Sequence, residues 1–348
     1  MILAAGYGTR LWPLTIDRTK PAIPFMGRPL IGYVAEYLAG HGFDDIVVNL
    51  HHQPGSVRAA LGDGGRFGVR FHYVEEPVIL GTSGAIGNAR HLLDGDHFVV
   101  INGKLATDID LREALATHRR TEALATLVLR PNPARERYST VNVLGGLVTG
   151  FGGFPAPASD KAGSAPGAAQ TTETDEAPES PLEGVEAGEV PLMFTGIQIL
   201  DPRVFDFIPP GVFSHSVTDV YVPAIARGDR VAAHVARGSW YELSTVRRYL
   251  DTSVTLLKRE GRDVELGEGS SVEDGANVTE SVLWEHVRVE RGARVRRSVL
   301  GAGVRVGPGE VFDNVAVVRA ELARGVERPE KGLRGEFRGP NFVAPIPE

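Results

Sequence analysis

Apolar positions fall in two rhythms along the first 150 residues. Short apolar runs at Met1–Ala5, Ile46–Leu50 and Phe98–Ile101 predict strands. Between the first two, Leu30, Ile31, Val34, Ala35 and Leu38 recur at helical spacing, and Gly40 and Gly42 supply a stop. Asp110-Leu-Arg-Glu113 reads as a capping box ahead of another helix, with Asp110 accepting from the first-turn amides. This alternation predicts an α/β fold, a Rossmann-like and mostly parallel sheet with helices on both faces. Binding loops of such sheets lie at the carboxyl ends of the strands.

Residues 155–191 break both rhythms. They are Ala, Pro, Gly, Ser, Thr and Glu with hardly any large apolar side chain, so they cannot bury enough surface to offset ordering entropy. A flexible insertion is expected there. Globular pattern returns at Leu192–Leu200 and runs to about Glu260, so the insertion interrupts one domain, residues 1–260. A third rhythm follows. Leu266, Val272 and Val278 are six apart, and the same triplet recurs 17 residues on as Leu283, Val289, Val295 and again as Leu300, Val306, Phe312. Gly275, Gly292 and Gly309 keep that step. An apolar residue every six positions predicts a triangular parallel β-helix over about 264–320, against the plainer alternative of a β-meander. Its few coils need a cap or a partner. Residues 321–348 read as an extended tail.

Composition narrows the class. Of 348 residues, 42% are apolar, enough for a sizeable core, and the net charge of −7 with no basic run argues against nucleic acid. The absence of cysteine excludes disulfides, thiolate metal sites and a cysteine nucleophile. No apolar run is long enough for a membrane helix, and the N-terminus lacks a signal-peptide pattern. A soluble cytoplasmic protein is expected.

The chemistry concentrates after the first strand, in Leu3-Ala4-Ala5-Gly6-Tyr7-Gly8-Thr9-Arg10-Leu11-Trp12-Pro13-Leu14-Thr15, then Thr19-Lys20-Pro21. Glycines at a strand end let backbone amides approach phosphate oxygens. Arg10 adds a planar fork and Lys20 a mobile point charge. A tight turn alone is the plainer alternative, but two cations and several prolines at set distances favour a phosphate cradle.

These residues resemble the sugar-1-phosphate nucleotidyltransferases, whose opening motif is similar to Gly6–Thr15 with Lys20-Pro21. The resemblance extends to Glu75-Glu-Pro-Val-Ile-Leu-Gly81-Thr82-Ser-Gly-Ala85, to Asn102-Gly103, to Thr107-Asp108-Ile-Asp110, to Phe194-Thr-Gly196-Ile197 and to Gly238-Ser-Trp-Tyr-Glu242-Leu-Ser-Thr245. The 17-residue repeat is similar to the left-handed β-helix of several members, mannose-1-phosphate guanylyltransferases among them. The chain's lead-in before the first strand is shorter than the family's.

The resemblance implies transfer of a nucleotidyl group from a nucleoside triphosphate to a sugar 1-phosphate, leaning to GTP and mannose 1-phosphate. It implies a nucleotide held by Leu3, Ala4, Ala5, Gly6, Gly8, Thr9, Glu75, Gly81 and Thr82, and a sugar phosphate near Gly196 and Glu242. Arg10, Lys20 and Lys104 would face the reacting phosphates, and the β-helix offers a surface for a homo-oligomer. Mg²⁺ is implied as well, but three departures bear on it. Lys104 stands where the family has a metal-binding Asp, Glu242 replaces a second one, and Gly153-Phe154-Pro155 replaces a Glu-Lys-Pro. The middle change is mild, because Glu242 can still ligate a metal. The first is not, since unit charges 4 Å apart interact by about 4 kcal/mol at an effective dielectric near 20, and a divalent ion by about twice that. Two readings follow: Lys104 clamps the triphosphate in place of a metal, or the chain binds nucleotide-sugar without turning it over.

Three weaker candidates read otherwise than as catalytic or metal-binding groups. His51 and His52 should point opposite ways on an extended segment. Glu75 and Glu76 are unneeded as an acid–base pair when a phosphate is the nucleophile, so binding or a solvated strand end is the preferred reading. Trp12, beside Pro13, suits loop packing at least as well as base stacking.

Overall fold

The computed structural model describes residues 1–136, 138–152 and 190–347. All but the last two residues of the insertion expected at 155–191 lie outside the described residues, as does Gly153-Phe154-Pro155. The chain divides into two compact units, one of Met1, Glu76–Asn102 and Asp108–Ser239, the other of Ile2–Glu75, Gly103–Thr107 and Trp240–Glu348.

In the first unit, strands lie in the order Phe98–Asn102, Leu192–Leu200, Ala125–Pro131, Val231–Val235, Leu147–Phe151 and Thr140–Leu144. Val231–Val235 runs parallel to Ala125–Pro131, whereas Leu192–Leu200 is antiparallel to both its neighbours. Apolar spacing carries strand identity but not direction, so only the structure supplies that reversal. The helix Leu111–Thr121 starts at Asp110, whose carboxylate accepts from Arg112 N (2.9 Å).

In the second unit, Ile2–Leu3, Asp45–Leu50 and Arg70–Glu75 pair in parallel. The helix Leu30–Ala39 buries Leu30, Ile31, Val34, Ala35 and Leu38, the residues its spacing singled out. The repeat forms three parallel sheets. Leu266 pairs with Leu283, then Leu300; Val272 with Val289, then Val306; Val278 with Val295, then Phe312. From the second coil onward these residues are buried in one cluster, while Leu266 at the open first coil stays 54% exposed.

The segment after Ala320, expected as an extended tail, is instead packed structure. It starts with a helical turn, Ala320–Ala323, and ends in a hairpin of Glu336–Arg338 with Asn341–Pro345. Asn341–Pro345 pairs antiparallel with Val315–Arg319 and prolongs a β-helix sheet. Val343 closes the β-helix core, and Phe342, Ala344 and Ile346 join a second cluster with Leu11, Trp12, Leu14 and Trp284. A five-residue strand is too short to announce itself by alternation. Part of what it buries, Leu11, Trp12 and Leu14, lies more than 300 positions earlier in the chain.

Candidate active site

The strand Ile2–Leu3 leads into the glycine-rich turn, and Ala4 N donates to Asn49 Oδ1 (2.7 Å) from the neighbouring strand. Gly8 adopts φ +66°, and an added Cβ would lie 3.0 Å from Lys20 Cβ. The Gly8 carbonyl accepts from Leu11 N (2.9 Å) and Thr15 Oγ1 (3.2 Å), so the turn folds back on the segment that carries Lys20. Gly6 differs: a Cβ there would meet nothing within 4 Å. Thr9–Leu11 is a single helical turn that includes Arg10, and Lys20 opens another at Lys20–Ala22.

Lys104 reaches this segment through backbone geometry. Gly103 N donates to Leu3 O (2.9 Å), and a Cβ on Gly103 would lie 2.9 Å from that oxygen. Beyond it, Leu105–Thr107 pairs antiparallel with Trp240–Glu242, opposing Leu105 to Glu242, and Leu243 N donates to Lys104 O (2.8 Å). This short ladder sets Lys104 beside Glu242, and the two side chains form an ion pair. The other Glu242 oxygen accepts from Arg248 Nη1 (3.0 Å) and Ser244 Oγ (3.1 Å).

Charge at this cluster is unbalanced. Burial works most strongly against ionisation of Glu242, which is buried, but the Lys104, Lys20 and Arg248 charges outweigh it and hold the carboxyl at about 2. Lys20, half-buried, is pushed well below its ordinary value by burial first and by the Lys104 ammonium next. Arg10 pushes the same way, against the pull of Glu242. Three cationic side chains, Lys104, Lys20 and Arg248, thus act on one carboxylate, and Arg10 acts on Lys20 beside it. Such a cluster stabilises a polyanion brought among its members.

The same residues do not fit a divalent ion held by protein. Among the described residues no three acids or histidines gather as a metal-holding group, and both Glu242 oxygens already serve cationic or hydroxyl donors. Mg²⁺ asks for near-octahedral oxygen ligands, and ammonium and guanidinium groups supply none.

The other sequence candidates occupy different settings. Glu75 ends the strand Arg70–Glu75, exposed, and accepts from Arg58 Nη2 (2.7 Å). Glu76 is buried and accepts from Leu80 N (3.0 Å), a loop-closing role. Gly81 and Thr82 lie in the first unit against Ser214 and Ser216. A Cβ on Gly81 would fall 2.4 Å from Ser214 O, and Thr82 Oγ1 accepts from Ser216 N (2.8 Å). Gly196, at φ +78°, makes room for Asn102, whose amide nitrogen an added Cβ would strike at 2.1 Å. The register of Leu192–Leu200 shifts across this position. Trp12 is buried and packs edge-on against Phe342 (5.3 Å between centroids), so it serves the core.

Sequence reasoning missed Arg248, and it gave Ser244 no role although the Gly238–Thr245 motif contains it. Arg248 lies in the first turn of Val246–Arg259, behind the Thr245 cap, six residues after Glu242, and no motif marks that spacing. It also misplaced the histidines. The chain bends at His52 instead of running extended, and the His51 and His52 rings both meet Tyr7, at 5.6 and 5.5 Å between centroids.

An α/β unit opening on a glycine-rich turn, in a chain that continues into a parallel β-helix, defines a nucleotidyltransferase fold with a hexapeptide-repeat region. The chain belongs to the nucleotidyl transferase family, whose model matches residues 1–259. A second model, the GlmU-like C-terminal hexapeptide, matches residues 260–325. It is similar to a UTP–glucose-1-phosphate uridylyltransferase of Synechocystis, 28% identical over 82% of this chain and 71% of that protein. An N-acetylmuramate α-1-phosphate uridylyltransferase of Neisseria meningitidis is 32% identical over 71% of this chain and 94% of its own. A mannose-1-phosphate guanylyltransferase of Mycobacterium tuberculosis is 27% identical over 74% of this chain, which spans 64% of that relative's length. Among solved structures, that of a putative glucose-1-phosphate thymidylyltransferase from Bacillus anthracis shares the fold (TM-score 0.56, 23% identity, 77% of this chain and 96% of that one).

Proposed function

We propose that the protein transfers a nucleotidyl group from a nucleoside triphosphate to a sugar 1-phosphate. A phosphate oxygen of the sugar attacks the α-phosphorus, the bond to the β-phosphate breaks, and pyrophosphate departs with the bonding electrons. No covalent protein intermediate is needed. The protein's part is to align two polyanions that repel each other and to stabilise the charge gathering on the leaving phosphates. Arg10, Lys20, Lys104 and the amides of the turn Gly6–Thr9 suit the triphosphate. Glu75, Gly81 and Thr82 are assigned to base and ribose, and Gly196 and Glu242 to the sugar phosphate. The observation that carries this reading is the surplus of cations around Glu242 beside the glycine turn.

The relatives act on several sugars and on more than one base, so GTP with mannose 1-phosphate is the specific pair proposed here, guided by the M. tuberculosis relative. The test is pyrophosphate release from a panel of the common triphosphates and hexose 1-phosphates. GTP with mannose 1-phosphate should give the highest kcat/KM. Release with none of the pairs would overturn catalysis. The Lys104–Glu242 ion pair favours a second reading, a nucleotide-sugar-binding subunit without turnover. Binding of a nucleotide-sugar without release of pyrophosphate from any pair decides for it. A homo-oligomer through the β-helix and a cytoplasmic setting complete the proposal; no helix among the described residues is long and apolar enough to cross a membrane.

A further inference from the structure

Building on the nucleotidyl-transfer reading above, we infer that this protein grips the triphosphate of its nucleotide with side-chain cations and without a divalent ion ligated by its own carboxylates. Lys104 leaves Glu242 for the phosphates when the nucleotide arrives.

Glu242 is buried and keeps two partners apart from Lys104, namely Arg248 (3.0 Å) and Ser244 (3.1 Å). Removing the Lys104 ammonium therefore does not strand a buried carboxylate, which would otherwise be costly. Lys104 retains 29% of its side-chain exposure, so its long stem can swing while its backbone stays fixed by Leu243 and the adjoining ladder. A divalent ion fares worse on each count. To reach Glu242 it must displace Lys104 or Arg248, and it then meets the remaining cations as like charges. A triphosphate meets the same cluster with opposite charge, and relieves the like-charge crowding by Lys104 and Arg10 that adds to burial in pushing Lys20 well below its ordinary value. An ammonium with three rotatable donors can bond oxygens of neighbouring phosphates, a contact that needs no octahedral shell.

The experiment is calorimetric titration of the full chain with GTP, UTP, ATP, CTP and inorganic tripolyphosphate, first in EDTA and then with excess Mg²⁺. The expected result is that at least one nucleotide binds in EDTA no more weakly than with Mg²⁺. Lys104→Met, which keeps the stem and removes the charge, should cost about tenfold or more in EDTA. Lys104→Asp should bind nucleotide only when Mg²⁺ is supplied. Nucleotide binding by the unaltered protein that requires Mg²⁺ overturns the inference and leaves the transfer reading standing. So does a Lys104→Met variant that melts normally and binds as tightly as the parent in EDTA. No binding of any nucleotide or of tripolyphosphate in either buffer overturns both. If the variants fail to fold, the EDTA comparison on the unaltered protein still decides.

Discussion

Two glycines two residues apart carry different duties. Gly8 is at φ +66° with its α-carbon against Lys20, so Gly8→Ala is strained in backbone and contact alike and should cost about 1–3 kcal/mol of stability. Gly6 faces open space, so Gly6→Ala should melt as the parent does while losing about tenfold in nucleotide affinity, because the new methyl intrudes where phosphate approaches the amides. Thermal melts and nucleotide titration of the pair separate the two roles. Equal nucleotide affinity of the parent and Gly6→Ala would place the polyphosphate elsewhere. Both glycines were legible in the sequence, since a glycine after a strand end has few explanations. Arg248 and Ser244 were not, because a carboxylate's partners come from whichever elements the fold brings alongside it.

At the level of elements, the segment bearing Lys20 is framed by the β-helix and the C-terminal hairpin. Arg18 pairs with Glu285 (2.6 Å) and lies 4.9 Å from the centre of the Trp284 ring. Tyr249 donates to Pro24 O (2.5 Å) and accepts from Trp284 Nε1 (3.1 Å). The buried Glu265 carboxylate accepts from Gly27 N (2.5 Å) and Met26 N (3.2 Å). Burial pushes that carboxyl up, and the two amides pull the other way. Glu265→Ala orphans both amides and should cost about 1–3 kcal/mol, read as a lowered denaturation midpoint. Phe342→Ala opens a cavity beside Trp12 and should cost about 3–5 kcal/mol by the same measurement. A loss under 1 kcal/mol for Phe342→Ala would show that the hairpin adds little to the core. The 17-residue repeat announced the β-helix because stacking demands one residue size at each step. Nothing in it announced that its outer surface receives residues 11–27.

For the whole molecule, stability should fall in mild acid. His118 is buried, shares hydrogen bonds with Thr126 Oγ1 (2.9 Å) and His97 Nδ1 (3.2 Å), and is pushed down to about 4 by burial and then by His97, with Asp201 opposing. The unfolded chain binds a proton near the ordinary value of 6.5 that the folded chain refuses until about 4. Stability is therefore full above pH 6.5 and declines through that window, by about 3 kcal/mol at most. Denaturation midpoints followed between pH 7.5 and 4 should show this, and His118→Gln should flatten the slope. An unchanged slope in that variant assigns the acid sensitivity to other groups. On the same scale, Leu266 and Val272 of the first coil are exposed, and the proposed oligomer can be tested at that end. Leu266→Glu should lower the molecular mass in sedimentation if the proposed oligomer uses that end.

Periodicity and motif were enough to determine the α/β class, the β-helix with its register, and the glycine turn with Arg10 and Lys20. These depend on residues near one another in sequence or repeated at a fixed step. Tertiary structure alone decided that Lys104 meets Glu242, that Arg248 shares the carboxylate, that Gly196 yields to Asn102, and that the last residues pack on Trp12. All but the Arg248 contact, which spans six residues, join positions far apart in the chain. Backbone hydrogen bonding and burial bring such positions together, and local pattern does not encode which distant partner arrives.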